Sequence, residues 1–298
     1  MIGINSFLVA YVGVYLFSSI ADVVIDLINE SHLKRSGGII PEGFEGIIDE
    51  EKLKQMDEYT IDKSRFSIFR AIVGKCVFLV IILSGLLPWA AGILEGFNFI
   101  PAGLIFFAIP GLIGALADLP FGYYHIFRIE GQYGFNTISI RAWVCDLLKS
   151  LVIGVILGAI LLSLLLLMVR FTGSMWWLWA WLIFIAFQLL ITIVYPILIA
   201  PVFNKFTPIQ NDELAGKIRG LADREGLTVK GIFQMDAGRR SRHTNAYFSG
   251  LGRAKRIVLY DTLLESHEQD EIMAVLAHEI GHLRKGHIKK QLAIMGIA

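Results

Sequence analysis

The residues best suited to chemistry are His278, Glu279 and His282, in the run His278-Glu279-Ile280-Gly281-His282. In a helix, positions four apart lie one turn apart on the same face, so the two imidazoles can converge on one ion. Glu279 projects about 100° round from His278, beside the open coordination position. There its carboxylate can take a proton from a water whose pKa zinc lowers toward about 7. The pattern predicts one zinc ion per chain, with His278 and His282 as ligands and Glu279 as the general base of peptide hydrolysis. In a loop the same five residues would be incidental, so the surrounding element decides.

A catalytic zinc takes three protein ligands and a water. His287 lies five residues past His282, about 500° of helical rotation, which predicts that it turns away from the metal face. The longer His-x-x-Gly-x-x-His pattern needs Gly at 285 and His at 288, where the sequence has Lys285 and Ile288. Glu271 shares the His278 face but stands about 10 Å of helix rise away. Glu265 and Glu268, ahead of the helix, stay open as ligands, as does a Glu from a later helix beyond Ala298. On the last reading the chain is C-terminally truncated and inactive as it stands.

The elements that must position these residues are mostly membrane helices. Of 298 residues, 55% are hydrophobic and 18% charged, against about 25% charged in soluble domains. A formal net charge of +1 and the lack of a basic cluster give no sign of a nucleic-acid partner. The two cysteines, Cys76 and Cys145, lie in or beside apolar stretches and read as free thiols. Residues 1–28 lack a basic leader region and a small-residue cleavage site, so they read as retained.

A helix crosses the bilayer core in about 20 apolar residues. Five stretches qualify: about 2–28, 66–94, 99–119, 143–169 and 175–200. Trp89, Trp143 and the group Trp176, Trp177, Trp179 and Trp181 supply interface aromatics. Residues 29–65 carry six basic side chains and 201–271 carry eleven, while 95–98 carry none and 170–174 only Arg170. Alternate loops are therefore basic, which predicts an outside N-terminus and puts 29–65, 120–142 and 201–271 on the cytosolic side. Residues 1–200 thus read as a membrane domain and 201–287 as a small cytosolic α+β insert.

Within the insert, Asn211 or Asp212 caps a helix with Leu214, Ile218, Leu221 and Ala222 on its apolar face, ended by Gly226. Strands are predicted over 231–235, 244–249 and 256–260, the last two joined as a hairpin through Gly250-Leu251-Gly252-Arg253. Ser266 and Gln269 predict a capping box opening a zinc helix over about 267–287. Residues 288–298 turn apolar again and read as the start of a further membrane segment.

Taken together these runs are similar to the type I CaaX prenyl protease family, integral-membrane zinc proteases that cleave after an isoprenylated cysteine. The resemblance rests on Glu130-x-x-Tyr133-Gly134-Phe135-Asn136, Tyr195-Pro196, Pro201-Val202-Phe203-Asn204-Lys205-Phe206, Ser241 to Tyr247, Asp261-Thr262-Leu263-Leu264 and His278 to His287. It implies a mainly α, polytopic fold: a ring of transmembrane helices around a water-filled chamber, with the zinc helix facing in. It implies that Asn245, Ala246 and Tyr247 lie along the substrate backbone, which suits recognition by strand addition. It also implies a Glu as third ligand, beyond Ala298.

The expected function is membrane-embedded zinc endopeptidase. In a host that prenylates proteins the substrate would be a CaaX C-terminus and the site the endoplasmic reticulum; in a bacterium, membrane-protein quality control at the inner membrane. The rivals are a heat-shock type membrane zinc protease, whose members have fewer spans ahead of the motif, and a non-enzymatic helical membrane protein with an incidental motif. Asn245 could instead cap a hairpin edge, and His243 beside Arg242 reads as a solvated loop pair. Asp22 and Asp26 read as hydrated interface residues, and Asp49–Glu51 as a solvated loop. Lys75, about ten residues into a span, needs water, a partner or snorkelling.

Overall fold

The computed structural model of the protein describes residues 5–40, 43, 46, 49–249, 255–287, 290 and 294. The chain divides into two compact units, Met1–Asn136 and Thr137–Ala298.

The first unit holds α1 (Ser6–Ser36), α2 (Glu50–Leu83), α3 (Leu86–Ile93) and α4 (Phe99–Tyr124), the last continuing as a π-helical segment, His125–Glu130. The Asn5 side chain caps α1, accepting from the Leu8 amide at 2.8 Å. Asp49 caps α2, accepting from Glu51 N at 3.2 Å, with Glu50 and Glu51 in the first turn. The acidic run is thus a helix start, where the dipole favours negative charge, and not a loop. The expected 66–94 span is divided: α2 stops at Leu83, and Gly85, at φ +83°, turns the chain into the separate α3. A left-handed φ is cheap only for glycine.

Charges inside these helices are paired. Lys75 Nζ donates to Asp22 Oδ2 at 2.8 Å and to the Ser19 carbonyl at 3.3 Å, joining α2 to α1. Asp22 is therefore the partner of Lys75 and not merely a hydrated end. Arg65 Nε and Lys34 both reach the buried Glu30. Arg70 grips Asp118 through Nε (2.7 Å) and a second nitrogen (2.5 Å), joining α2 to α4. Buried Glu130 accepts from the Tyr59 hydroxyl at 2.7 Å, and Tyr133 donates to Asp62 at 2.7 Å. The Glu130–Asn136 motif is thus a clasp between α2 and the end of α4.

The second unit begins with α5 (Ile140–Phe171), capped by Ser139, and α6 (Trp176–Val194). A π-helical segment at Tyr195–Ile199, around Pro196, and the short α7 (Ala200–Phe203) lead into the insert. There β1 (Phe206–Pro208), α8 (Asp212–Arg224), β2 (Val229–Met235), β3 (Ala246–Ser249), β4 (Lys255–Tyr260), α9 (Asp261–Ser266) and α10 (Gln269–Arg284) follow. The sheet order is β1-β2-β4-β3; β2 runs parallel to β4, and β1 and β3 are antiparallel to their neighbours. The expected turn at 250–253 and most of 288–298 lie outside the described residues.

Asn211 caps α8 through Leu214 N at 3.0 Å. Its apolar stripe (Leu214, Ile218) meets Ile232, Ile257 and Leu259 of the sheet, Leu263 of α9 and Ile272 and Leu276 of α10. The other sheet face gathers Met235, Val258, Phe233, Tyr247 and Tyr260. Arg240 ties the insert to α5 and α7, donating to Asp146 Oδ2 at 2.7 Å and to Asn204 Oδ1 at 3.1 Å. Lys149 Nζ adds a bond to the Val202 carbonyl at 3.0 Å.

Among the described residues, five helices are long and apolar enough to cross a membrane: Ser6–Arg35, Glu50–Leu83, Phe99–Glu130, Ile140–Phe171 and Gly173–Phe203. Their surfaces bear exposed side chains such as Phe7, Phe17, Val152, Val155 and Leu190. A soluble monomer does not present so much contiguous apolar surface, whereas a bilayer covers it.

Candidate metal centre

The site is built on α10. Its start differs from the expected Ser266–Gln269 box by two residues: Glu268 is the cap and Glu271 completes the box, accepting from Glu268 N at 2.9 Å. The Ser266 hydroxyl instead donates to the Thr262 carbonyl at 2.6 Å. The box commits the Glu268 carboxylate to the helix end, some ten residues before His278, or about 15 Å of rise, so it is not a ligand.

Ile272, Leu276 and Ile280 form the buried stripe of α10. His278 and His282 each stand two residues past a stripe position, about 200° round, so packing the stripe turns both imidazoles outward. They meet there, with Nε2 to Nε2 at 3.0 Å and ring centroids 4.7 Å apart. Two nitrogens at about 2.0–2.1 Å from a tetrahedral zinc stand about 3.3 Å from each other. The observed pair is close to that spacing, and neutral imidazole nitrogens are donors that zinc accepts. Glu279 lies between the two faces, half-buried. Among the described residues no three His, Cys, Asp or Glu side chains gather as a metal site.

His287 does not turn away as a continued helix would make it. The helix ends at Arg284, and Gly286, at φ +64°, reverses the chain. His287 Nδ1 then comes within 2.9 Å of His282 Nδ1. The expectation failed because it extended a regular helix through a glycine.

Residues 245–247 run onto β3, an edge strand of the sheet beside α10. Tyr260 N donates to the Asn245 carbonyl at 3.0 Å, and Ala246 opposes Leu259. Antiparallel pairing alternates, so the main-chain groups of Ala246 and Phe248 point to the open edge. The Ala246 methyl is buried in the core under the helices, leaving only its main chain for a ligand. Asn245 Oδ1 accepts from Ala246 N at 2.8 Å. The Tyr247 ring lies on the opposite sheet face, lining a cavity of ≈ 530 Å³ with Pro196, Lys205 and Arg256. Burial there pushes its phenol up to about 12, with Tyr260 and Tyr195 adding to the shift. Phe248, which sequence reasoning missed, shares the open edge; only the pairing register could have found it.

Two protein families match this chain one after the other. Residues 29–205 match the family described as CAAX prenyl protease N-terminal, five membrane helices, and residues 208–298 match peptidase family M48. The CAAX prenyl protease 1 of Saccharomyces cerevisiae is 38% identical over 84% of this chain and 58% of its own length. The CAAX prenyl protease 1 homolog of Arabidopsis thaliana is 34% identical over 94% of this chain and 68% of its own. The crystal structure of S. mikatae Ste24p superposes with a TM-score of 0.84 at 33% identity, covering 94% of this chain and 67% of that one. The chain thus spans about three-fifths to two-thirds of the length of these relatives.

Proposed function

The chain belongs to peptidase family M48, and from that premise we propose that it carries the zinc-binding helix of a membrane-embedded endopeptidase acting on CaaX-type C-termini. The observation that carries the reading is the 3.0 Å approach of His278 Nε2 and His282 Nε2 on a capped helix. His278 and His282 would hold the ion, with a third protein ligand and the attacking water completing its coordination. Zinc bound there supplies Lewis acidity, polarising the scissile carbonyl and easing deprotonation of water.

The chain's own residues do the rest. The Glu279 carboxylate accepts a proton from the attacking water as its oxygen bonds to the carbonyl carbon. It then returns that proton to the amine as the C–N bond breaks. The open edge of β3 holds the substrate extended through the Ala246 carbonyl and the Phe248 main chain, the Ala246 N–H being given to Asn245 Oδ1, so affinity does not depend on reading each side chain. The amide of Asn245 faces the same ligand. The relatives' names favour a CaaX substrate that bears a prenyl group. The α+β insert faces the cytosol, at the endoplasmic reticulum in a eukaryotic host.

The test is metal analysis of the full-length protein together with cleavage of a prenylated peptide by its wild-type and Glu279→Gln forms. One zinc per chain is expected in both, with cleavage lowered about 10²–10⁴-fold in the variant, the range a positioned acid–base group contributes. A metal-free wild type, or a variant that cleaves at the wild-type rate, overturns the reading and leaves a non-enzymatic membrane protein.

A further inference from the structure

We propose that His287 is a positioning residue for the metal centre, accepting the Nδ1 proton of His282 and so presenting the His282 Nε2 lone pair to the ion. The inference rests on the metal-centre reading above and adds a residue to it.

The two short contacts of His282 use different nitrogens. Nε2 faces His278 Nε2 at 3.0 Å, and Nδ1 faces His287 Nδ1 at 2.9 Å. On one imidazole ring these nitrogens point in diverging directions, so an ion on Nε2 cannot also be reached by His287. His287 is therefore excluded as the third ligand by the contact that brings it close. What remains is the second nitrogen of a ligand. A neutral imidazole that offers Nε2 to a metal carries its proton on Nδ1, and that proton needs an acceptor to fix tautomer and ring orientation. The deprotonated Nδ1 of His287 supplies it, while its own proton sits on Nε2.

The backbone is arranged for this contact. The end of α10 at Arg284 and the left-handed Gly286 bring position 287 back along the helix, where a continued helix would have carried it off. The His282 and His287 rings stand edge to face, with centroids 4.8 Å apart and planes at 82°. Nearly perpendicular planes let a ring-edge nitrogen of each approach the other without stacking. His287 is exposed, so no core packing explains where it lies.

The experiment compares zinc affinity, by competition with a chromophoric chelator, in wild type, His287→Phe and His287→Gln. Phe keeps a ring without an acceptor; Gln restores an acceptor oxygen. Loss of an outer-shell partner is expected to weaken zinc binding about 10–100-fold in His287→Phe, with much of it regained in His287→Gln and thermal unfolding unchanged. Cobalt substitution gives a second readout: the visible ligand-field bands should shift in the Phe variant and return toward wild type in the Gln variant. Wild-type affinity in His287→Phe overturns the proposal, as does equal weakening in both variants. A wild type that binds no zinc instead overturns the metal-centre reading on which the proposal stands.

Discussion

At the scale of single residues, the metal face of α10 consists of two imidazoles one turn apart and a third brought to them by the turn that ends the helix. The pairing of His278 with His282 follows from four-residue spacing on a helix, and the structure brings their Nε2 atoms to 3.0 Å. The place of His287 depends on where that helix ends, which one glycine decided. Lys75 needed a partner that no spacing reveals, because Asp22 lies 53 residues away on another helix. That pair gives a prediction. In a double-mutant cycle with Asp22→Asn and Lys75→Met, the coupling energy read from unfolding in detergent should be about 1 kcal/mol, the scale of polar contacts between membrane helices. Strictly additive effects would mean that the two side chains do not stabilise each other.

At the scale of elements, caps and stripes were legible but the sheet's connectivity was not. Asn211 at the start of α8 and the hydrophobic face behind it are written in neighbouring residues. The parallel pairing of β2 with β4, and hence the exposure of β3, depends on contacts between strands more than twenty residues apart. The capping box moved from Ser266 to Glu268 because the Ser266 hydroxyl found the Thr262 carbonyl one turn back. The orientation of the metal face comes from the stripe of α10, in which Leu276 is wholly buried. Leu276→Ala should therefore destabilise the insert by about 2–5 kcal/mol, and because the stripe aims the imidazoles, zinc affinity should fall with it. Thermal unfolding and chelator competition measure the two effects; intact stability would show that the helix is held by other means.

At the scale of the whole molecule, length and apolarity sufficed to identify five membrane helices, and alternation of basic loops gave their expected orientation. The boundary between compact units at Asn136 and Thr137 was not legible, since it reflects bonds such as Arg240 to Asp146 that join the insert to a membrane helix. Orientation can be tested by thiol labelling after Cys76 and Cys145 are changed to Ser. Glu51→Cys and Glu213→Cys should react with an impermeant reagent only when the cytosolic face is opened, and Asn5→Cys from the other side. Labelling of Glu213→Cys from outside would invert the arrangement.

The outermost strand of the insert imposes a step size on anything laid along it. Outward-pointing amides and carbonyls recur every second residue, about 6.8 Å along the chain. A guest peptide displaced by one position finds the wrong groups opposite it, whereas one displaced by two finds the same set again. Backbone pairing alone therefore cannot choose among alternate bonds. Cutting at a single place requires a stop at one end of the groove, and a bulky lipid-bearing side chain or a chain terminus would provide one.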